Sequence, residues 1–325
     1  MKTLIRTVTL GMCLAAAAPL AWSQAATSYP NRPIKLIVPF GAGGFTDVVA
    51  RVLGQKLGQA MGTSFVIENK AGAGSTIGTA EVAKAAPDGY TLVMISTTHT
   101  VSPWIYKSIP YDPLKGFTPV SKLVDSAYVL LAHPKVPANN VRELIALAKA
   151  QPDKLTYASS GNGSSQHLMG GMFEALAGVQ MKHVPYRSSA GAANDLVAGI
   201  VDLSFAGVPN ALAQVPAGRL KALAVTTPKR VSQLPDVPTL QEAGVSGYEG
   251  SVWLALLAPP NTPREIVTRL NTELAKVMAQ PDTRKALNDA GVEPSLSTPE
   301  ALQTYMASEL ERWGKVVKSA DIKAD

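Results

Sequence analysis

The hydrophobic pattern of this chain switches repeatedly between two periods. Residues 34–38 form an apolar run (Ile34, Leu36, Ile37, Val38) that suits a strand buried on both faces and breaks at Pro39. From Val48 the apolar positions take helical spacing (Val48, Val49, Val52, Leu53, Leu57, Ala60, Met61), with Asp47, Arg51, Gln55 and Gln59 on the opposite face and Gly62 as the stop. Between the two periods stand Gly41, Ala42, Gly43 and Gly44, nearly without side chains. The reading is strand, glycine loop, helix. Such a junction leaves unpaired backbone N–H groups at the helix start, where an anion fits. Tight strand-to-helix turns without a ligand are also common, so the loop alone does not decide.

A second copy of the pattern shifts the balance. Residues 155–160 read as a strand, 161–165 (GNGSS) as a small polar loop, and Gln166 opens a helix with Leu168, Met169, Met172, Phe173 and Leu176 on one face. Two such loops can face each other. Further strands are expected at 65–68, 91–96, 128–132, 181–186, 203–205, 220–226 and 252–257. Helices are expected at 76–86, from Asn140 (a capping box with Glu143) through Ala150, at 190–199, and as a C-terminal run at 263–278, 282–290 and 299–319. Residues 99–119, with Pro103, Pro110, Pro113 and Pro119 among aromatic residues, read as an ordered surface loop. The alternation of strands and helices predicts mostly parallel sheets.

Length and charge narrow the class. Lys2 and Arg6, an apolar stretch over 10–20 and small residues around Ala21, Ser23, Ala25 and Ala26 have the order of a secretory signal over 1–25, too short to span a membrane. Cys13 falls inside it, behind Met12, which spoils a lipid-anchor site, so the mature chain is expected to carry no thiol chemistry. About 300 residues remain, which favours two lobes. Without Lys2 and Arg6, 28 basic residues face 24 acidic ones. They are scattered, which argues against nucleic-acid binding. No later stretch is long and apolar enough to cross a bilayer, so the mature chain is expected to be soluble.

Most catalytic motifs are missing. Residues 72–78 (GAGSTIG) approach a dinucleotide fingerprint, but Ile77 stands where the third glycine belongs. There is no Walker-type phosphate loop and no nucleophile elbow, and His99, His133, His167 and His183 form no metal-ligand spacing, so neither cofactor nor metal is expected. Ser164, Ser165, His167 and Asp195 can be imagined as a triad; the plainer reading is two serines capping a helix, a histidine in its first turn and a loop-supporting carboxylate. Phe45 is either a hydrophobic staple for the first helix or an apolar wall for a ligand.

The segments PFGAGGFTDVVAR, ENKAGAGSTIG, PDGYTL, PYDP, TYASSGNGSSQHL, HVPYRSSA, LPDVPTLQEAG and the tail WGKVVK together resemble the Bug family, periplasmic substrate-binding proteins of tripartite tricarboxylate transporters. The resemblance runs in order along essentially all of the chain after the signal. It implies an α/β, two-lobed type II periplasmic-binding-protein fold with mixed, mostly parallel sheets and a hinge of crossing strands. Lobe 1 would comprise 26–126 and 250–325, and lobe 2 would comprise 127–249. It implies a periplasmic monomer that takes up a small carboxylate and hands it to the transporter's membrane components. The loops that would grip the acid, mainly through backbone groups and ordered water, are Phe40, Gly41, Ala42, Gly43, Gly44, Phe45, Thr46 and Asp47, and Ser160, Gly161, Asn162, Gly163, Ser164 and Ser165. Thr97, His99, His167, Asp195, Phe205 and Ala206 complete the implied site. Gly171, Ala206 and Phe45 depart from the usual pattern, the last two near the expected cleft, which leaves the identity of the acid open. A secreted hydrolase or lyase on a similar fold, and a sensor without transport, are the alternatives.

Overall fold

The computed structural model describes residues 29–319. The signal expected over 1–25 lies outside the described residues. In chain order the first elements are β1 (Ile34–Val38), α1 (Phe45–Met61), β2 (Phe65–Asn69), a 3-10 turn (Ala73–Ser75), α2 (Thr76–Ala83), β3 (Thr91–Ser96), α3 (Thr98–Ile105) and β4 (Thr118–Ala132). The middle of the chain forms α4 (Val141–Ala150), β5 (Thr156–Ser159), α5 (Ser165–Ala177), β6 (Lys182–Pro185), α6 (Ser189–Val197), β7 (Leu203–Gly207), α7 (Val208–Gln214) and β8 (Lys221–Val225). The last part forms β9 (Ser251–Ala258), α8 (Arg264–Met278), α9 (Pro281–Asp289), β10 (Glu293–Pro294) and α10 (Pro299–Ser319).

Among the described residues the strands join in the order β2-β1-β3-β9-β4-β7-β5-β6, with β8 and β10 also on β4. The expected parallel pairing holds where strand and helix alternate: β1 with β2 and β3, and β5 with β6 and β7. Every pair involving β4 or β9 is antiparallel, so the sheet is mixed rather than mostly parallel. β4 is the reason. Its residues 118–127 pair with β9; beyond them Tyr128–Ala132 pair with β7 on one side and Val129–Ala132 with β8 on the other. One strand thus belongs to both ends of the sheet.

Apolar packing follows the same division. Ile34, Leu36 and Val38 of β1 pack with Val49, Leu53 and Leu57 of α1, the two faces read from the sequence pattern, and with Leu270, Leu274 and Val277 of α8. A second cluster joins Leu168, Met172 and Phe173 of α5 to Leu130, Leu203 and Phe205, and also takes in Val101 and Ile105 of α3 and Trp313 and Val317 of α10. α3 and α10 therefore reach across to the far end of the sheet.

α3 corrects the loop expected over 99–119. Pro103 lies inside this helix, where it removes an amide and normally costs about 3 kcal/mol. Val101 and Ile105 are buried and the Trp104 ring packs on Gly314 of α10, burial that yields about 1.5–3 kcal/mol per large side chain and outweighs the proline. β4 likewise starts ten residues before the expected 128, because Thr118–Ala127 find β9 as a partner. α7 escaped notice, although Pro209 at its start is a fitting helix opener.

Candidate functional site

Both glycine loops sit where a parallel strand hands over to a helix. In the first, Gly41, Ala42 and Gly43 are exposed and α1 starts from Gly44, which offers no side-chain cap. Gly43 has φ +74°, a conformation that favours glycine, and its amide donates to Asp47 Oδ2 at 2.8 Å. Asp47 is buried and also receives Arg51 Nε at 2.9 Å and Asn69 Nδ2 at 2.9 Å, while Asn69 Nδ2 also donates to Phe40 O at 3.2 Å. Burial alone would raise the Asp47 carboxyl. The Arg51 guanidinium, the Gly43 amide and Asn69 outweigh it and hold the group below the ordinary carboxylate range. Asp47 thus shapes the loop from behind, its charge balanced by Arg51.

The second loop repeats the device with other chemistry. Gly163 has φ +71° and donates its amide to His167 Nδ1 at 3.0 Å. Ser164 is the N-cap of α5, its side chain accepting from His167 N at 3.4 Å. Ser159 Oγ accepts from Gly161 N at 3.1 Å and lies 2.6 Å from His183 Nε2. The His167 and His183 rings stack at 3.9 Å. An imidazole acceptor stands here in place of the carboxylate, so the group that latches loop 2 brings no negative charge of its own. The amides of Phe45 and Thr46 in α1, and of Ser165 and Gln166 in α5, open helices whose first turns have no intrahelical partner for them. Gln166 Oε1 is buried without a donor among the described residues, the kind of acceptor that water or a hydroxyl fills.

The structure sorts the remaining expected residues. Thr46 and Ser165 are buried at the helix starts, while Ser160, Gly161 and Asn162 are half-buried on loop 2. Phe45 is the first residue of α1, so it cannot serve as the staple preceding the cap; its ring packs against both large apolar clusters. Thr97 is buried and its Oγ1 accepts from Trp253 N at 3.2 Å. His99 is fully buried, its Nε2 2.8 Å from Pro113 O and its ring between Tyr111 and Phe117, and burial lowers its pKa to about 4. Phe205 is a core side chain beside Phe173, and Ala206 is buried in a cluster with Val129 and Val208. Asp195 Oδ2 accepts from Tyr186 OH at 2.6 Å, as a loop-supporting carboxylate would.

Residues 72–78, read from the sequence only as an imperfect dinucleotide fingerprint, contain a third polar loop. Ala73, Gly74 and Ser75 are three consecutive residues with positive φ (+43°, +58°, +78°), strained for the alanine and the serine. Ser75 Oγ lies 3.1 Å from Thr98 Oγ1, itself 3.0 Å from Ser96 Oγ, and Ser102 Oγ donates to Gly74 O. A Cβ on Gly74 would meet the Tyr106 hydroxyl at 2.7 Å, and one on Gly163 would meet Ile105 Cδ1 at 2.6 Å. α3 therefore ties the third loop to loop 2. Tyr128, where β4 changes partners, lies near Ser165, and burial pushes its hydroxyl up to about 12. A groove along the far half of α1, lined by Gly54, Gly58, Gly62 and Phe65, lies away from the first loop and carries no charged side chain.

A mixed sheet threaded by shared strands, with glycine loops at strand-to-helix junctions, is the architecture of periplasmic solute-binding proteins. Solved relatives bear this out: a Rhodopseudomonas palustris protein with adipate superposes with a TM-score of 0.84 at 37% identity, covering 91% of this chain and 99% of that one. MatC from the same organism, with bound malate, does so at 0.79 and 33%, covering 89% and 100%. BugT of Bordetella pertussis is 36% identical over 95% of each chain. Residues 49–322 match the tripartite tricarboxylate transporter family receptor, and the chain belongs to that family of solute-binding receptors. No helix among the described residues is long and apolar enough to cross a membrane.

Proposed function

We propose that this protein captures a small carboxylate between loops 1 and 2 and presents it to the membrane components of a tripartite tricarboxylate transporter. The observation that carries the reading is the repeated device: two left-handed glycines, each fixed by the side chain four residues on, each at an uncapped or serine-capped helix start. Hydrogen bonds to a charged group contribute about 1.5–3 kcal/mol each and a helix start adds roughly 0.3–1. A micromolar ligand needs about 8 kcal/mol net, within reach of two loops but not of one. The adipate and malate held by the relatives point to small di-acids as the first candidates.

Residues 26–126 with 250–325 form one lobe in this reading and 127–249 the other, hinged where β4 and β9 run between them. The change of β4's partners after Ala127 supports that boundary. The protein acts as a secreted monomer after loss of residues 1–25. Capture without turnover is favoured because Ser164, His167 and Asp195 are each engaged in local structure: a helix cap, a glycine amide and a tyrosine hydroxyl.

The test is calorimetric titration with malate, adipate, citrate, glutamate and benzoate, with each acid recovered afterwards and checked for chemical change. Saturable binding of at least one acid, unchanged on recovery, is the expected result. Arg187, exposed just beyond the end of β6, is the alternative anchor: binding that persists in Gly163→Val but vanishes in Arg187→Ala would move the site from the backbone cradle to its guanidinium.

A further inference from the structure

The two loop latches differ in one respect that chemistry makes consequential. An amide can only donate, so the 3.0 Å contact from Gly163 N requires a bare lone pair on His167 Nδ1 and places the neutral ring's proton on Nε2. A protonated imidazole carries N–H on both nitrogens and has nothing to offer Gly163. Asp47, held ionised by Arg51, Gly43 and Asn69, keeps its lone pairs through the whole range in which imidazoles titrate. One proton can undo loop 2 but not loop 1.

His167 does not meet that proton alone. His183 of β6 lies face to face with it, 3.9 Å away and within 3° of parallel. Tyr157 of β5 stands 4.9 Å from His183 and 6.5 Å from His167, with the Glu174 carboxyl of α5 near its hydroxyl and Asp153 beside Glu174. From the far side of loop 2, Tyr186 follows β6 and carries Asp195 of α6 on its hydroxyl. Two imidazolium rings stacked this closely repel each other, so the pair takes up one proton well before a second.

The first proton has a place on His183. Its Nε2 faces Ser159 Oγ at 2.6 Å, and a serine hydroxyl accepts as readily as it donates; once it accepts, its own hydrogen can turn to Gly161 O at 3.1 Å. Nδ1 of His167 has no such latitude, because its partner is an amide. We propose that His167 is the positioning residue of loop 2 and that stacked His183 shields it from protonation, so that in mild acid the shared proton rests on His183 and the Gly163 latch still holds. The inference rests on loop 2 gripping a carboxylate.

Titration with malate and adipate between about pH 8 and 4.5, with folding followed in parallel, tests it in four proteins. His167→Leu should weaken binding about tenfold at neutral pH, whereas His167→Asn, which keeps an acceptor oxygen as loop 1 does, should stay within about threefold and lose affinity only as the ligand's own carboxyls protonate. Wild type should hold its affinity to about pH 5.5 and then lose it; His183→Phe, which keeps the stack but cannot take the proton, should lose affinity about one pH unit higher. A His183→Phe profile that overlays wild type, a His167→Leu protein that binds like wild type, or a His167→Asn protein with the wild-type acid loss overturns the inference. If neither acid binds wild type, the receptor reading is in trouble, and ring nitrogen NMR of the unliganded protein still decides this one. His183 should take the first proton, with His167 Nδ1 remaining a bare acceptor; the reverse order overturns it. Should His167→Leu fail to fold, His167→Asn and His183→Phe suffice.

Discussion

Asp47 holds Gly43 in its left-handed conformation through a 2.8 Å hydrogen bond across one turn, and it does so while buried. The carboxylate satisfies three donors at once, from Gly43, Arg51 and Asn69. Asp47→Ala should therefore lower stability by about 1–3 kcal/mol and weaken carboxylate binding, since the loop's donors lose their common anchor. Chemical denaturation and titration on the same sample check both. Because the folded-state pKa lies below the ordinary value, the stabilisation is present above about pH 4 and is lost as the pH falls through the lowered value.

Gly163 and Ile105 form a second coupled pair. Alanine at 163 meets both an unfavourable φ, worth about 1 kcal/mol, and the Ile105 methyl at 2.6 Å. At Gly43 the same substitution meets open space and only the backbone term. Gly163→Ala should thus destabilise more than Gly43→Ala, and adding Ile105→Ala should recover part of the difference. A double-mutant cycle by urea denaturation reads the coupling directly.

His99 predicts a pH dependence of a different origin. Burial lowers its pKa from the ordinary 6.5 to about 4, so the fold requires the neutral ring. The stability this contributes is intact above about pH 6.5 and falls as the pH drops toward 4, by up to about 1.4 kcal/mol per unit. Thermal unfolding between neutral pH and about 4.5 should show the slope, and His99→Phe, which keeps the packing on Tyr111 and Phe117, should flatten it.

Glu309 joins α10 to the strand that crosses between the ends of the sheet. Its buried carboxylate accepts Trp253 Nε1 at 2.9 Å, Trp313 Nε1 at 3.1 Å and the Arg312 guanidinium at 2.7 Å and 3.0 Å. Glu309→Ala leaves two indole donors without an acceptor and Arg312 with only the Glu249 carbonyl to bond, and should cost about 3–5 kcal/mol, measurable by urea denaturation. Glu309→Gln keeps one acceptor oxygen and should cost less.

Local rules in the sequence carried much of this fold. The cap at α4 is close to the box read from the sequence: Asn140 Oδ1 accepts from Glu143 N at 3.0 Å, while Glu143 Oε2 reaches back one residue beyond the cap to Asn139 N at 2.7 Å. Gly62 ends α1 in the left-handed conformation at φ +65°. Glycine and serine loops at 41–44 and 161–164 were legible for the same reason: small residues at a change of period mark a backbone that has to approach something closely. What stayed hidden depends on partners distant in sequence. α3 tolerates Pro103 because α10 supports it, β4 is long because β9 pairs with it, and His99 is buried because residues 111–117 fold over it. The pairing of His167 with His183 joins a helix to a strand beyond it, and no spacing rule announces that.

The sharing of β4 between both ends of the sheet also sets an order of assembly. The strands around loop 2, β5 to β8 with the second half of β4, come from one continuous stretch and can close as soon as it has emerged. β3 cannot complete its far edge until residues 251–258 arrive, since Val93 pairs with Leu257 and Ser96 with Leu254. Until then the half-sheet behind loop 1 presents bare strand edges, which invite pairing with any neighbouring chain. A chain delivered from its N-terminus onward is therefore most aggregation-prone while its first three strands wait for its last quarter, and loop 1 is the later of the two loops to gain its supporting sheet.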